Sequence, residues 1–265
     1  MISNLRFELS FKNISQLESK LNFCKFNGIK NLNIPCKGLI KKDFFNSTIE
    51  YIANNYQEFN VTYHYSLFHQ YSQNKEKSYQ DLLAFLKNSY SNRNYKILLV
   101  SGSNKKKNFE VINVLSKIKE EKNLKVKLGI AYNAYLKKYY KDTLERERLD
   151  KKLSSGLINS IWFQYGTDIK VLQNEVNYIK QASKHNKINL FGSLLIPSKQ
   201  FIARFKFRPW KGVHISEKYL CSLDYFYDFT KDLVCFYKRH NITPVIETDF
   251  SSSEKLHSVF SFFRK

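Results

Sequence analysis

The side chains best suited to chemistry in this 265-residue chain stand at the ends of short apolar runs. Glu8, His64, Ser101 with Ser103, Tyr132, Gln164, and Glu247 with Asp249 each close such a run. Glu8 lies on the face opposite Phe7 and Leu9. Inside a barrel its carboxyl would be costly to ionise unless paired or hydrated, so its pKa would rise toward that of a general acid. The competing reading is an ion pair with Arg6 or another basic group. Gln164 follows Ile161-Trp162-Phe163. Its amide offers donor and acceptor and suits the edge of a heterocycle, or else satisfies backbone groups at the end of a core strand. Glu145, Arg148 and Lys152 fall at i, i+3 and i+7, with Lys151 beside them. That face could grip phosphates or ribose, or could equally be a solvated helix face. His64 and His69 have no Asp, Glu or Cys at ligand spacing, so no metal site is expected. Ser101-Gly102-Ser103 lacks the glycine-flanked context of a hydrolase nucleophile.

The elements that must position these residues follow from apolar periodicity. Strands are expected at Leu5–Ser10, Lys30–Pro35, Asn60–Leu67, Tyr95–Gly102, Val126–Tyr132, Ser160–Gln164, Ile188–Leu195 and Ile242–Asp249. Helices are expected at Ile14–Phe26, Asp43–Tyr56, Ser78–Tyr90, along the stripe Val111, Val114, Leu115, Ile118, and at Lys141–Ser155. Further helices follow along Ile169, Leu172, Val176, Ile179, at Ser198–Phe207 and at Ser216–His240. Ser251-Ser252-Ser253-Glu254 has capping-box spacing and opens a last helix. Strands alternating with helices imply a parallel sheet, and eight such units in an undivided chain favour a single-domain (βα)8 TIM barrel over residues 1–265. An open doubly wound sheet is the runner-up, weakened because neither GxGxxG nor GxxxxGK[ST] is present.

Composition narrows the class. The chain is 43% hydrophobic and 16% aromatic, which argues against disorder. Its eight Gly and four Pro are scattered and mark no linker. The formal charge of +21 points either to an acidic partner or to a lysine-rich coding bias, and the densest run, Lys105-Lys106-Lys107, falls in a loop. The cysteines at 24, 36, 221 and 235 form no CxxC pair and read as reduced, mostly buried thiols. No secretory signal and no apolar run of ~18 residues are seen, so a cytoplasmic protein with no membrane partner is expected.

Across residues 131–200 the chain resembles the methylenetetrahydrofolate reductase family. Ala131-Tyr132 matches the Ala-Tyr after the family's fifth strand, and Lys151-Lys152-Leu153-Ser154-Ser155-Gly156 its basic pair before a small residue and a glycine. Phe163-Gln164 is similar to the end of its sixth strand, and Gly192-Ser193-Leu194-Leu195-Ile196-Pro197 to its Gly-Ile-x-Pro-Ile segment, with the proline displaced. Gly212-Val213-His214-Ile215 looks like the piece before its long penultimate helix. Upstream, Phe7-Glu8, His64 and Val100-Ser101-Gly102-Ser103 stand in register with the family's Phe-Glu, a flavin-contacting His, and Leu-Arg-Gly-Asp. The resemblance implies a flavin enzyme that reduces 5,10-methylenetetrahydrofolate with NADH or NADPH through FAD. Glu8 would then protonate the leaving nitrogen and Gln164 would bond the pterin. His64, Gly102, Ser103, Tyr132, Glu145, Arg148, Lys151 and Lys152 would hold FAD.

Ser101 and Ser103 replace the family's Arg and Asp, and Leu136 with Lys137 or Lys138 its His and Glu. These departures motivate an alternative: a non-redox folate- or nucleotide-binding barrel, acting as a partner subunit. A homo-oligomer fits either reading. Nucleic acid is a third partner class, motivated by charge alone; no basic stripe with interleaved aromatics stands out for it.

Overall fold

The computed structural model describes residues 4–36, 42–90, 95–102, 109–121, 124–140, 144–184 and 187–264. Its strands are β1 (Arg6–Glu8), β2 (Asn31–Pro35), β3 (Asn60–Ser66), β4 (Tyr95–Val100), β5 (Leu128–Tyr132), β6 (Ile158–Phe163), β7 (Asn189–Leu194) and β8 (Ile242–Ile246). They form a closed barrel in the order 1 to 8, which excludes the open-sheet alternative. The ladders from β1 to β5 and from β6 to β8 are parallel. Between strands run α1 (Ile14–Phe26), α2 (Lys42–Asn55), α3 (Lys75–Tyr90), α4 (Val111–Glu120), α5 (Leu136–Tyr140), α6 (Glu145–Leu153), α7 (Ile169–Ala182), α8 (Lys199–Phe207), α9 (Glu217–Cys221) and α10 (Leu223–His240), and α11 (Ser253–Ser261) follows β8.

Contacts divide the chain into two compact units. One comprises Phe7–Ile130 and Asp150–Asn159; the other comprises Met1–Arg6, Ala131–Leu149 and Ser160–Lys265.

In the first unit, α1 illustrates how local chemistry sets an element. The Asn13 side chain accepts from the Gln16 amide, Leu17, Leu21 and Cys24 fill a fully buried stripe, and Gly28 at φ 67° ends the turn. Each such buried apolar side chain contributes about 1.5–3 kcal/mol. Along β3, Tyr63 packs edge-on against Phe45 of α2, and Tyr65 lies 4.8 Å from Phe85 of α3. These tyrosines therefore face the helices. By the two-residue alternation of a strand, Thr62, His64 and Ser66 face the opposite way, into the barrel.

The second unit shows the same division. Tyr237 of α10 lies against Gly192 of β7 and donates to the Ser193 carbonyl at 2.8 Å. Phe191 and Ser193 thus point inward. Phe191 stacks on Trp162 of β6 at 3.9 Å and 9°, and Arg6 holds its guanidinium 5.8 Å and 6.0 Å from the two rings. Arg6 is only 2% exposed. Burial pushes its pKa down to about 9, which leaves it charged at neutral pH over two π faces.

Four expectations need correction. The first strand ends at Glu8 rather than Ser10, although the Leu9 amide still bonds Asn33. The expected Lys141–Ser155 helix is α5 and α6, with residues 141–143, Lys141 among them, outside the described set. The expected Ser216–His240 helix breaks at Ser222, which closes α9 and caps α10 by accepting from the Tyr225 amide. In the serine cluster the cap is Ser252, bonded to the Lys255 amide, not Ser251 paired with Glu254. Of the cysteines, Cys24 and Cys36 are buried, whereas Cys221 and Cys235 are exposed.

The Gly192–Tyr237 contact is testable. A methyl at position 192 would overlap the buried Tyr237 ring and sit 2.6 Å from its hydroxyl oxygen. Gly192→Ala is expected to cost about 2–3 kcal/mol, and Tyr237→Phe about 1 kcal/mol. Thermal melts should rank the two in that order; an unchanged midpoint for Gly192→Ala would contradict the packing.

Candidate functional site

In a parallel barrel, reactive groups sit at the C-terminal ends of the strands. The unit built on β2 to β4 brings three inward polar side chains together there. Register pairs Glu8 with Asn33 and Asn33 with Thr62, so these share a face, and His64 follows two residues later on β3. Asn33 Nδ2 lies 2.9 Å from His64 Nε2, and His64 Nδ1 lies 3.9 Å from Glu8 Oε2. An amide nitrogen can only donate, so His64 Nε2 accepts and the proton of the neutral ring sits on Nδ1, facing Glu8. The separation is that of an ion pair, too long for a hydrogen bond. With side-chain exposures of 9% and 15%, Glu8 and His64 form a nearly buried pair in which the neutral imidazole turns its Nδ1–H toward the Glu8 carboxylate.

Gly102 follows β4 at φ 85°, and a Cβ there would meet Phe68 Cβ at 2.5 Å and Ser66 Oγ at 3.1 Å. Positive φ and its own chain's crowding both demand glycine. Ser101 is exposed, while Ser103 and Lys105 to Lys107 lie outside the described residues. Lys151 is exposed; Lys152 is buried.

In the unit built on β6 to β8, Gln164 shares the inward face of Ser160 and Trp162. Its Oε1 accepts from the Tyr165 amide at 3.3 Å, and among the described residues its amide nitrogen has no partner, so it presents donors. Asn133, just past β5, donates to the Gly212 carbonyl at 2.8 Å and accepts from the Tyr135 amide at 3.0 Å. Gly212, at φ 82°, brings residues 212–216 beside both amides: a Cβ there would lie 3.4 Å from Asn133 Nδ2 and 4.0 Å from Gln164 Nε2. This segment is strapped down by a parallel bridge between Gly166 and His214, by Thr167 N to His214 O at 3.0 Å, and by Ser216 N to Thr167 Oγ1 at 2.8 Å. Tyr139 stacks on His214 at 3.4 Å. Lys138 and Tyr139 both donate to Asp168, at 2.7 Å and 2.5 Å. Burial pushes the His214 imidazole down, and Asp168 counters it.

Tyr132 and Asp249 are engaged within the fold. The Tyr132 hydroxyl donates to Glu175 of α7, and Arg146 grips the same carboxylate through bonds of 2.8 and 3.1 Å. Tyr132 therefore faces the helices, and burial, then Glu175, raise its phenol pKa. Arg148 pairs with Glu145 at 3.3 Å, and Glu145 reaches the Asn133 amide at 3.5 Å. Asp249 binds Lys255 and the Ser251 amide. Residue types alone did not point to Asn33, Asn133 or Asp168. The first two carry a signal in hindsight: each is a polar residue at an inward or strand-exit position.

These contacts bear on FAD, which the resemblance implies. The Tyr132 hydroxyl is engaged, Lys152 is buried, Arg148 is tied to Glu145, and the space beside Gly102 is filled by Phe68. These groups, among the described residues, are engaged within the fold and do not stand as free donors for a pyrophosphate. Among the described residues no group of three or more His, Cys, Asp or Glu could hold a metal.

No family model and no curated protein matches the chain. Solved structures do match. A protein from Clostridium thermocellum that binds two copies of 5-methyl-5,6,7,8-tetrahydrofolic acid has a TM-score of 0.67 at 13% identity, covering 97% of this chain and 92% of its own. Active domain 2 of a thermostable chitinase from Pyrococcus furiosus, complexed with chito-oligosaccharides, has a TM-score of 0.52 at 12% identity, covering 99% and 96%. At these identities the likeness is one of fold: a (βα)8 barrel.

Asp168 gives a test of the strap. Burial alone would raise its pKa, but bonds from Lys138, Tyr139 and the Val171 amide outweigh that and hold it at about 2. A carboxyl lowered on folding contributes stability that is fully present above its unfolded value near 4 and lost as pH falls through about 2. The advantage of the native chain over Asp168→Asn, which keeps an N-cap, should be constant above about pH 4 and shrink between about pH 4 and 2. Urea midpoints across that range measure it, and parallel pH profiles would contradict it.

Proposed function

We propose that the protein binds a reduced folate, and that it does so as a barrel without flavin chemistry. The observation that carries this is the Clostridium thermocellum neighbour, a barrel of the same fold that binds 5-methyltetrahydrofolate. Gln164 supports it, because its oriented amide donors suit the acceptors along a pterin edge. The charge of +21 suits a ligand carrying glutamate carboxylates. The engagement of Tyr132 with Glu175 and of Arg148 with Glu145 favours the non-redox form.

A second reading is a methylenetetrahydrofolate reductase-like enzyme, and the Glu8–His64 pair favours it. In that reading Glu8 protonates the nitrogen released as the methylene bridge opens, and Asn33 holds the imidazole so that its Nδ1–H faces the carboxylate left behind, which takes its next proton from solvent. Hydride from NADH or NADPH would require FAD.

Calorimetric titration of the purified protein with 5-methyltetrahydrofolate should give saturable binding. Gln164→Ala should weaken it about fivefold, the worth of one hydrogen bond near 1 kcal/mol. No heat at millimolar ligand would reject folate binding. Flavin absorbance bleached by NAD(P)H would select the reductase; a colourless protein that cannot be reconstituted with FAD yet binds folate would select the non-redox barrel.

A further inference from the structure

The segment from Ser198 to Ser216 joins exposed rings to a basic run. It holds Lys199, Arg204, Lys206, Arg208 and Lys211, all exposed, and no Asp or Glu. At its tip Phe207, the last residue of α8, is 92% exposed, and Trp210 is 43% exposed. Pro209 separates them from a returning chain. The apolar face of α8 anchors this tip. Phe201 and Phe205 are buried, and Trp210 packs on them edge-to-face at 5.5 Å and 6.2 Å. Phe201 in turn lies 6.0 Å from Phe226 of α10. The tip is thus an anchored wedge with one ring projecting, and Lys206, Arg208 and Lys211 neighbour it in the chain.

We propose that this tip docks the protein on an anionic phospholipid surface, with Phe207 and the outer edge of Trp210 among the acyl–headgroup boundary and the five cations at lipid phosphates. The absence of a helix long and apolar enough to cross a membrane, among the described residues, bears on spanning and not on lying against a bilayer. A single acyl-length anchor or a few charges alone bind membranes weakly; an apolar wedge and a basic cluster together supply the two signals that stable attachment needs. Single-stranded nucleic acid is the competing anionic occupant, but stacking recognition uses a row of open ring faces along a basic track. Here only one ring projects freely, the indole is anchored against two phenylalanines, and Lys206, Arg208 and Lys211 neighbour the tip in the chain.

The test is sedimentation of the full chain with phosphatidylcholine vesicles, with and without about one-third phosphatidylglycerol. Binding is expected only with the anionic lipid and should fall as salt is raised. A basic side chain near an anionic surface is worth about a fivefold gain in partitioning. Arg204→Gln with Lys206→Gln and Arg208→Gln should therefore weaken binding about a hundredfold, and Phe207→Ser about tenfold. Trp210 fluorescence should shift to the blue and be quenched by brominated acyl chains, while the buried Trp162 is unaffected. All substituted positions are exposed, so unchanged thermal melts will show that the variants fold. Lack of binding to anionic vesicles, equal binding to neutral ones, or indifference to Phe207→Ser would overturn the proposal. So would binding of oligouridylate that depends on the same residues in a protein that ignores vesicles. None of these outcomes depends on folate binding.

Discussion

A strand buried on both faces must satisfy every polar group that it turns inward, and much of this molecule is arranged around that requirement. Barrel interiors are usually filled with Val, Ile and Leu. Here the inward positions include Arg6, Asn33, Thr62, Ser66, Ser160 and Ser193, all buried. Each uncompensated group would cost on the order of 1–3 kcal/mol or more. Arg6 rests its charge on the Trp162–Phe191 stack, the Trp162 indole donates to Ser160 at 3.1 Å, and Asn33 meets His64. The Ser193 hydroxyl has no partner among the described residues, although the carbonyl of the same residue takes the Tyr237 hydroxyl. The same alternation that satisfies the interior fixes which strand-end groups can meet a ligand.

The helix layer solves a related problem. Glu175 occupies a position in the apolar stripe of α7, between Leu172, Val176 and Ile179. A carboxylate there would be untenable alone. Two bonds from Arg146 and one from Tyr132 compensate it and tie β5 and α6 to α7. Replacing such a cluster by hydrocarbon can cost little, whereas removing one member leaves the others stranded.

Apolar period made much of this architecture legible. The bounds Ile14–Phe26 of α1 follow from a stripe ended by glycine, and the eight strands follow from runs such as Ile97-Leu98-Leu99-Val100. What period cannot show is orientation at a strand's end. Tyr132 and Gln164 both close apolar runs, yet one turns to a helix and the other into the barrel. The Ser222 break carries neither glycine nor proline, so nothing marked it except a serine able to cap. Three adjacent serines, 251 to 253, at the start of α11 made the cap ambiguous by one residue. Asn33 was hidden because its role is long-range: its partner is thirty-one residues away.

Arg6 also sets a temporal order on the molecule. Its aromatic platform is completed by Phe191, so the guanidinium cannot find its resting place until that residue has been synthesised. At ordinary translation rates the interval is on the order of ten to forty seconds. Through that time the guanidinium must stay hydrated, although β2, the strand that pairs with β1, has already been made. The seating of Arg6 is therefore a late step, however early its strand emerges.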